Sequence, residues 1–123
     1  LDEIKGRMME DIVLLETKLS RKNCEVFKLQ FAVGEFDMVV FNPDEGNCEL
    51  YEIKHSTERT KEQFRHLIDE KKCSEASFRY GDITGKYVIY RSSATPPANV
   101  ENSTSDTCGV TYINVEEYLK KLQ

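Results

Sequence analysis

No apolar run in the sequence approaches the ~20 residues needed to cross a bilayer as a helix, and no secretory signal pattern is visible. A chain with no membrane partner, in the cytoplasm, is the resulting expectation. The four cysteines (Cys24, Cys48, Cys73, Cys108) form no C-x-x-C pair, and only two histidines accompany them, so the spacing argues against a zinc site. Three of the four lie in or beside apolar segments, which points to buried free thiols in a reducing compartment. Gly81 to Gly85 lacks the G-K-[ST] ending of a phosphate-binding loop, and no G-x-S-x-G occurs. Nucleotide hydrolysis and serine-hydrolase chemistry therefore have no support, and no internal repeat is present. Positive charge is also short. Seventeen Lys and Arg face twenty-two Asp and Glu, a net charge of −5. That is not the footprint of a stand-alone nucleic-acid binder.

What the sequence does contain fits one globular domain over residues 1–123, with 39% hydrophobic residues and twelve aromatics, all Phe or Tyr. The charged opening segment already reads as helix, which suggests a piece of a longer protein. From Ile4 to Leu19, Ile4, Met8, Ile12, Leu15 and Leu19 recur at spacings of three and four as one apolar stripe. Gly6, Glu10, Val13, Leu14 and Thr17 lie on the other side, so the helix is expected to pack between layers. Glu10 is the odd member of that second face. It is either solvated, paired with Lys18 or a neighbour, or a carboxylate aimed at a site.

Cys24 to Val33 alternates as a strand, and Glu35 to Phe41 and Cys48 to Lys54 follow as two more, with Asn42 to Asn47 as the intervening loop. Thr60 to Lys72 is expected to be helical, with Thr60 and Gln63 forming a capping box and Phe64, Leu67 and Ile68 the buried stripe. Gln63 and His66 would sit one turn apart, near the end of the strand that carries Lys54. Ser74 to Gly85 reads as irregular with a turn at Gly81-Asp82, and Lys86 to Tyr90 as a buried strand. Residues 92–109, rich in Ser, Thr, Asn and Pro, read as a long flexible loop. Val110 to Ile113 is a last strand, and Asn114 caps a helix through Leu122.

The hairpin carries the chemistry. If Phe41 and Cys48 pair, antiparallel register puts Asp37 opposite Glu52 and Glu35 opposite Lys54. Opposed residues share a face with Cβ atoms about 4.5–5.5 Å apart, and Lys54 lies on that face roughly 6.6 Å beyond Glu52. Two carboxylates that close repel, one pKa rises unless a positive charge lies between them, and a divalent cation is a natural solution. The competing reading is a plain salt bridge among Glu35, Glu52 and Lys54. Basic residues also gather after the hairpin: Lys54, His55, Arg59, Lys61, Arg65, His66, Lys71 and Lys72. Glu58, Glu62, Asp69 and Glu70 are interleaved, so the run fits a solvated helix face as well as a local basic surface.

The order helix, three strands, helix, strand, with Asp37 followed by Glu52-Ile53-Lys54, resembles the PD-(D/E)XK phosphodiesterase superfamily. K-G-R-M-M-E at Lys5 to Glu10, G-E-F-D-M-V-V, and Y-E-I-K-H-S followed by E-Q-F-R-H-L resemble the C-terminal nuclease-like region of prokaryotic AAA-type ATPases. The resemblance implies an α/β, restriction-endonuclease-like core: a helix, a three-strand antiparallel meander, a helix and a strand, then a further strand and a C-terminal helix. It further implies that Asp37 and Glu52 ligate Mg²⁺ (or Mn²⁺) and that Lys54 is catalytic. Glu10 matches the acidic residue of the first helix, as a further ligand or catalytic group, and Gln63 the helix glutamine of exonuclease-type members. Phe36 stands where the family's proline would be, and Leu67 where an aromatic follows the glutamine. The implied activity is hydrolysis of nucleic-acid phosphodiesters, DNA before RNA, for a parent chain that carries an ATPase module. The alternative is an inactive accessory domain that binds nucleic acid or protein for such an ATPase.

Overall fold

The computed structural model describes residues 2–32, 34–55, 61–91 and 109–123, with side chains from position 7 in the first helix and from position 64 in the 3-10 helix. The elements are α1 (Asp2–Ser20), β1 (Glu25–Gln30), β2 (Glu35–Asn42), β3 (Asn47–Lys54), a 3-10 helix (Lys61–Ile68), α2 (Glu70–Tyr80), β4 (Asp82–Tyr90), β5 (Thr111–Asn114) and α3 (Val115–Lys121). The chain is α/β, with one mixed sheet in the order β1-β2-β3-β4-β5. β1, β2 and β3 are the antiparallel meander read from the alternation, while β4 and β5 join parallel to β3 and to β4.

Each face of the sheet carries its own apolar cluster. Phe36, Val39, Leu50 and Val88 pack with Phe64, Leu67 and Ala76 beneath the 3-10 helix and α2. Met38, Val40, Tyr51 and Ile89 pack with Val13 and Tyr118 beneath α1 and α3. Three layers result, each helix layer too thin to bury both of its sides.

The face that α1 buries corrects the sequence expectation. Met8, Ile12, Leu15 and Leu19 are 48–59% exposed, whereas Val13 and Thr17 are fully buried. The reason lies in partners that periodicity cannot register. Thr17 Oγ1 donates to the Val13 carbonyl at 2.7 Å and lies 2.6 Å from Tyr118 Oη, and Glu10 pairs with Lys28 of β1. The sheet, through Lys28, and α3, through Tyr118, offer this side of α1 polar partners as well as apolar contact, so the half-polar stripe goes inward.

A second correction concerns 74–80, expected to be irregular and in fact part of α2. Asp69 is its N-cap, with its side chain accepting from Lys72 N–H at 3.1 Å, and Gly81 ends it at φ 85°. Ala76 is the helix's one fully buried residue, with Cys73 and Tyr80 packed partly against the core. A buried stripe this small leaves almost no apolar periodicity to read. The expected single helix over 60–72 is instead a 3-10 segment that breaks at Asp69 before α2 begins. Thr60, the Gln63 side chain, Cys108 and positions 92–108 lie outside the described residues. Cys24, Cys48 and Cys73 are free thiols, Cys48 buried and the other two half-buried. Among the described residues, no helix is long and apolar enough to cross a membrane.

Candidate metal centre

The hairpin register is the one read from sequence: Phe41 pairs with Cys48 and Val39 with Leu50. The loop is shorter than expected, since Asn42 and Asn47 still pair. Pairing of β2 with β3 runs as far as Met38 and Tyr51. On the other side, Phe27 pairs with Val39 but Leu29 with Phe36, so β2 carries one extra residue opposite Lys28. This bulge reverses the parity of β2. Phe36 and Val39 share one face, and Met38 and Val40 share the other. Bulges re-aim side chains and end regular pairing, and here Asp37 lies within one.

Released from the regular ladder, the Asp37 carboxylate takes over a main-chain donor: Ile53 N–H donates to Asp37 Oδ2 at 2.8 Å. Glu52 precedes that donor by one residue and is 1% exposed. Its Oε2 lies 3.2 Å from Lys54 Nζ, and the same ammonium is 3.9 Å from Asp37 Oδ2. Glu52 Oε1 is buried and meets no hydrogen-bond donor. Burial, then the neighbouring Asp37 charge, push the Glu52 pKa up to about 9, against the pull of Lys54. Burial works against the Lys54 ammonium, but Glu52 and Asp37 outweigh it and raise its pKa. Asp37, Glu52 and Lys54 thus meet as the sequence implied.

Glu35 does not face Lys54. It pairs with Gln30 across β1, and its Oε2 lies 3.7 Å from Lys28 Nζ. Lys28 also holds Glu10, so the neighbour that pairs with Glu10 is on β1, and Lys18 is not that partner. Burial, then Asp37 and Glu35, raise the Glu10 pKa, with Lys28 opposing. Glu10 is therefore close enough to feel Asp37, but its carboxylate is turned to Lys28. Among the described residues, no three His, Cys, Asp or Glu side chains converge on one point. Gln63 lies in the 3-10 helix, whose Leu67 is fully buried.

The site opens where β3 and β4, which are parallel, reach their carboxyl ends at Lys54 and Tyr90. Open α/β sheets bind ligands beyond those ends. Two cations, Arg91 and Lys72, rim this opening, each against a histidine. His55 Nε2 lies 3.2 Å from Arg91 Nη1, the residues directly after β3 and β4. His66 Nδ1 lies 2.6 Å from Lys72 Nζ. His66 is half-buried, and Lys54 and Asp37 both act on its titration. Lys28 and the bulge escaped the sequence reading. A lysine in the middle of V-F-K-L-Q was the available sign, since a central strand position rarely carries a charge without a partner.

No protein-family profile, curated protein or solved structure matches this chain.

The donor set suits a hard divalent ion. Mg²⁺ keeps several waters and is commonly held by one or two carboxylates, which Asp37 and Glu52 supply. Glu52 Oε1 is a buried acceptor with nothing to accept. Glu10, Glu35, Asp37 and Glu52 share this end of the sheet with two ammonium groups, Lys28 and Lys54, a formal net of −2.

Proposed function

We propose that this chain is a metal-dependent nuclease-like domain with a restriction-endonuclease-like core that hydrolyses nucleic-acid phosphodiester bonds. Asp37 and Glu52 would hold Mg²⁺ or Mn²⁺. The single observation that carries this reading is Glu52, a nearly inaccessible carboxylate beside a second carboxylate, with one oxygen left without a donor. A buried acceptor of this kind costs about 1–3 kcal/mol unless something binds it. When bound, the ion supplies Lewis-acid polarisation of the phosphate and a more acidic water.

The chain's own groups do the rest. Asp37 is fixed by Ile53 N–H, so its carboxylate has a defined direction. Lys54, tethered to both carboxylates, presents a fixed positive charge to negative charge that develops on a phosphate oxygen. The rim cations Arg91 and Lys72 offset locally what the net charge of −5 denies overall. DNA is the first substrate to test, and an ATPase module in a parent chain is the implied partner.

Purified protein should nick or degrade supercoiled or linear DNA in Mg²⁺ or Mn²⁺, and Asp37→Ala or Lys54→Ala should reduce the rate by about 10²–10³-fold. Cleavage that survives both substitutions overturns the assignment.

A second reading has its own observation, the exposed apolar face of α1 at Met8, Ile12, Leu15 and Leu19. Contiguous apolar surface of this kind marks a protein contact. On that reading the domain is an inactive accessory that docks a protein or nucleic acid for an ATPase. It predicts no metal-dependent cleavage and no Mn²⁺ binding that depends on Asp37 and Glu52.

A further inference from the structure

His66 and Lys72 form a cationic pair that the carboxylate chemistry does not use. A Lys ammonium only donates, so His66 Nδ1 accepts from Lys72 Nζ and the ring proton sits on Nε2. The pair therefore presents an Nε2–H and two further ammonium N–H groups. The ring of Phe31 lies under the ammonium, 5.9 Å from nitrogen to centroid, and helps hold it in place. Among the described residues, no carboxylate lies within ion-pairing distance of Lys72.

Gly34 completes the shape. Its φ is +85°, and a Cβ there would stand 2.6 Å from His66 Cε1, 2.9 Å from Lys72 Nζ and 3.0 Å from His66 Nε2. Any other residue would crowd the two donor groups, so the bare backbone leaves them room. Burial, then Lys72, Arg65 and Lys54, lower the His66 pKa, so the imidazole stays neutral near pH 7 and keeps its role as acceptor from Lys72. Lys54 and Asp37 are among the charges that His66 feels, which ties the pair to the carboxylate site.

We propose that His66 Nε2–H and the Lys72 ammonium bind a backbone phosphate of the substrate strand, next to the phosphate held at Asp37, Glu52 and Lys54. This rests on the nuclease reading for the identity of the polyanion. It adds a phosphate-binding subsite supplied by the 3-10 helix and α2. The residues are not catalytic; they fix where the strand lies.

The test is binding without turnover. A 5′-fluorescein-labelled single-stranded (dT)₁₂ is titrated with the full chain in Ca²⁺, and anisotropy is followed over a range of KCl. Lys72→Met, which keeps the stem over Phe31, and His66→Ala should each weaken binding about fivefold or more. Lys72→Met should also lower the salt slope by about 0.7, the loss of one single-strand phosphate contact. Lys72→Arg should retain most of the affinity, and Lys121→Ala on α3 should change neither affinity nor slope. Thermal melts identify any variant that is misfolded, and the other variant then decides. Wild-type affinity and slope in both Lys72→Met and His66→Ala overturn the proposal, as does a loss equalled by Lys121→Ala. Failure of the wild type to bind the oligonucleotide overturns it too. Mn²⁺ calorimetry on the same proteins separates the two readings. Oligonucleotide binding that depends on Lys72 without Mn²⁺ binding upholds the subsite and sinks the metal reading. Mn²⁺ binding with no effect of Lys72 or His66 on oligonucleotide binding does the reverse.

Discussion

The two ends of the β2–β3 hairpin are built from the same strands and solve opposite problems. At the turn, the main-chain donors of Asp44, Glu45 and Gly46 all meet acceptors on Asn42. Asn42 Oδ1 accepts from Asp44 N–H and Glu45 N–H, at 3.0 and 3.1 Å, and Gly46 N–H donates to the Asn42 carbonyl. Asp82 N–H donates to the Gly46 carbonyl, which locks the start of β4 onto the turn. At the open end, Asp37 and Glu52 crowd each other and Glu52 Oε1 has no donor. One end is arranged for stability. The other carries an unfavourable arrangement that a proton on Glu52 or a bound cation would relieve, and such local violations cluster at functional sites.

The largest expected effect comes from breaking the settled end. Gly81 combines φ +85° with a Cβ position that would collide with the Gly46 carbonyl oxygen. Gly81→Val should destabilise the protein by about 2–4 kcal/mol in urea unfolding, through backbone strain and that clash. Asn42→Ala removes an acceptor for two main-chain donors and should cost about 1–2 kcal/mol. Neither substitution touches the site, so Mn²⁺ affinity of the folded fraction should be unchanged.

The open end should respond with the opposite sign. In metal-free protein at pH 8, Glu52→Gln removes the cost of keeping Glu52 protonated beside Asp37 and should raise stability by about 1 kcal/mol, a Tm rise of ~4 °C. A lower Tm would mean that the Lys54 pair already compensates Glu52. A smaller effect is graded by pH. The Glu52 pKa lies above its ordinary value of 4.5, near 9, so the folded state holds a proton that the unfolded state has lost. Its contribution therefore falls as pH rises from about 4.5 to about 9. Melts of wild type against Glu52→Gln across that range should diverge with pH, and parallel curves would contradict it.

The contrast also explains what could be read from residues alone. The register at Phe41 and Cys48 and the meeting of Asp37, Glu52 and Lys54 followed from period-two alternation about a polar loop. The bulge did not, because one extra residue in β2 leaves no compositional mark until its partner strand is known. The inward face of α1 is not legible from periodicity because Lys28 and Tyr118, which recruit Glu10 and Thr17, lie 18 and 101 positions further along the chain. α2 was missed because Ala76 and Cys73 give it too small an apolar stripe, although Asp69 and Gly81 bracket it as caps. His66 and Lys72 meet only because the chain breaks at Asp69, between the 3-10 helix and α2. Local pattern reveals the elements. Partners far along the chain decide which way they face.

The most direct test of the central claim is calorimetric titration of the full chain with Mn²⁺ at pH 8, for wild type, Asp37→Ala and Glu52→Gln. One Mn²⁺ per chain should bind to wild type and release protons, because the ion displaces the proton held by Glu52. Both variants should bind at least tenfold more weakly. Equal Mn²⁺ affinity in all three proteins, or none in the wild type, would contradict the assignment of the Asp37–Glu52 pair as a metal centre.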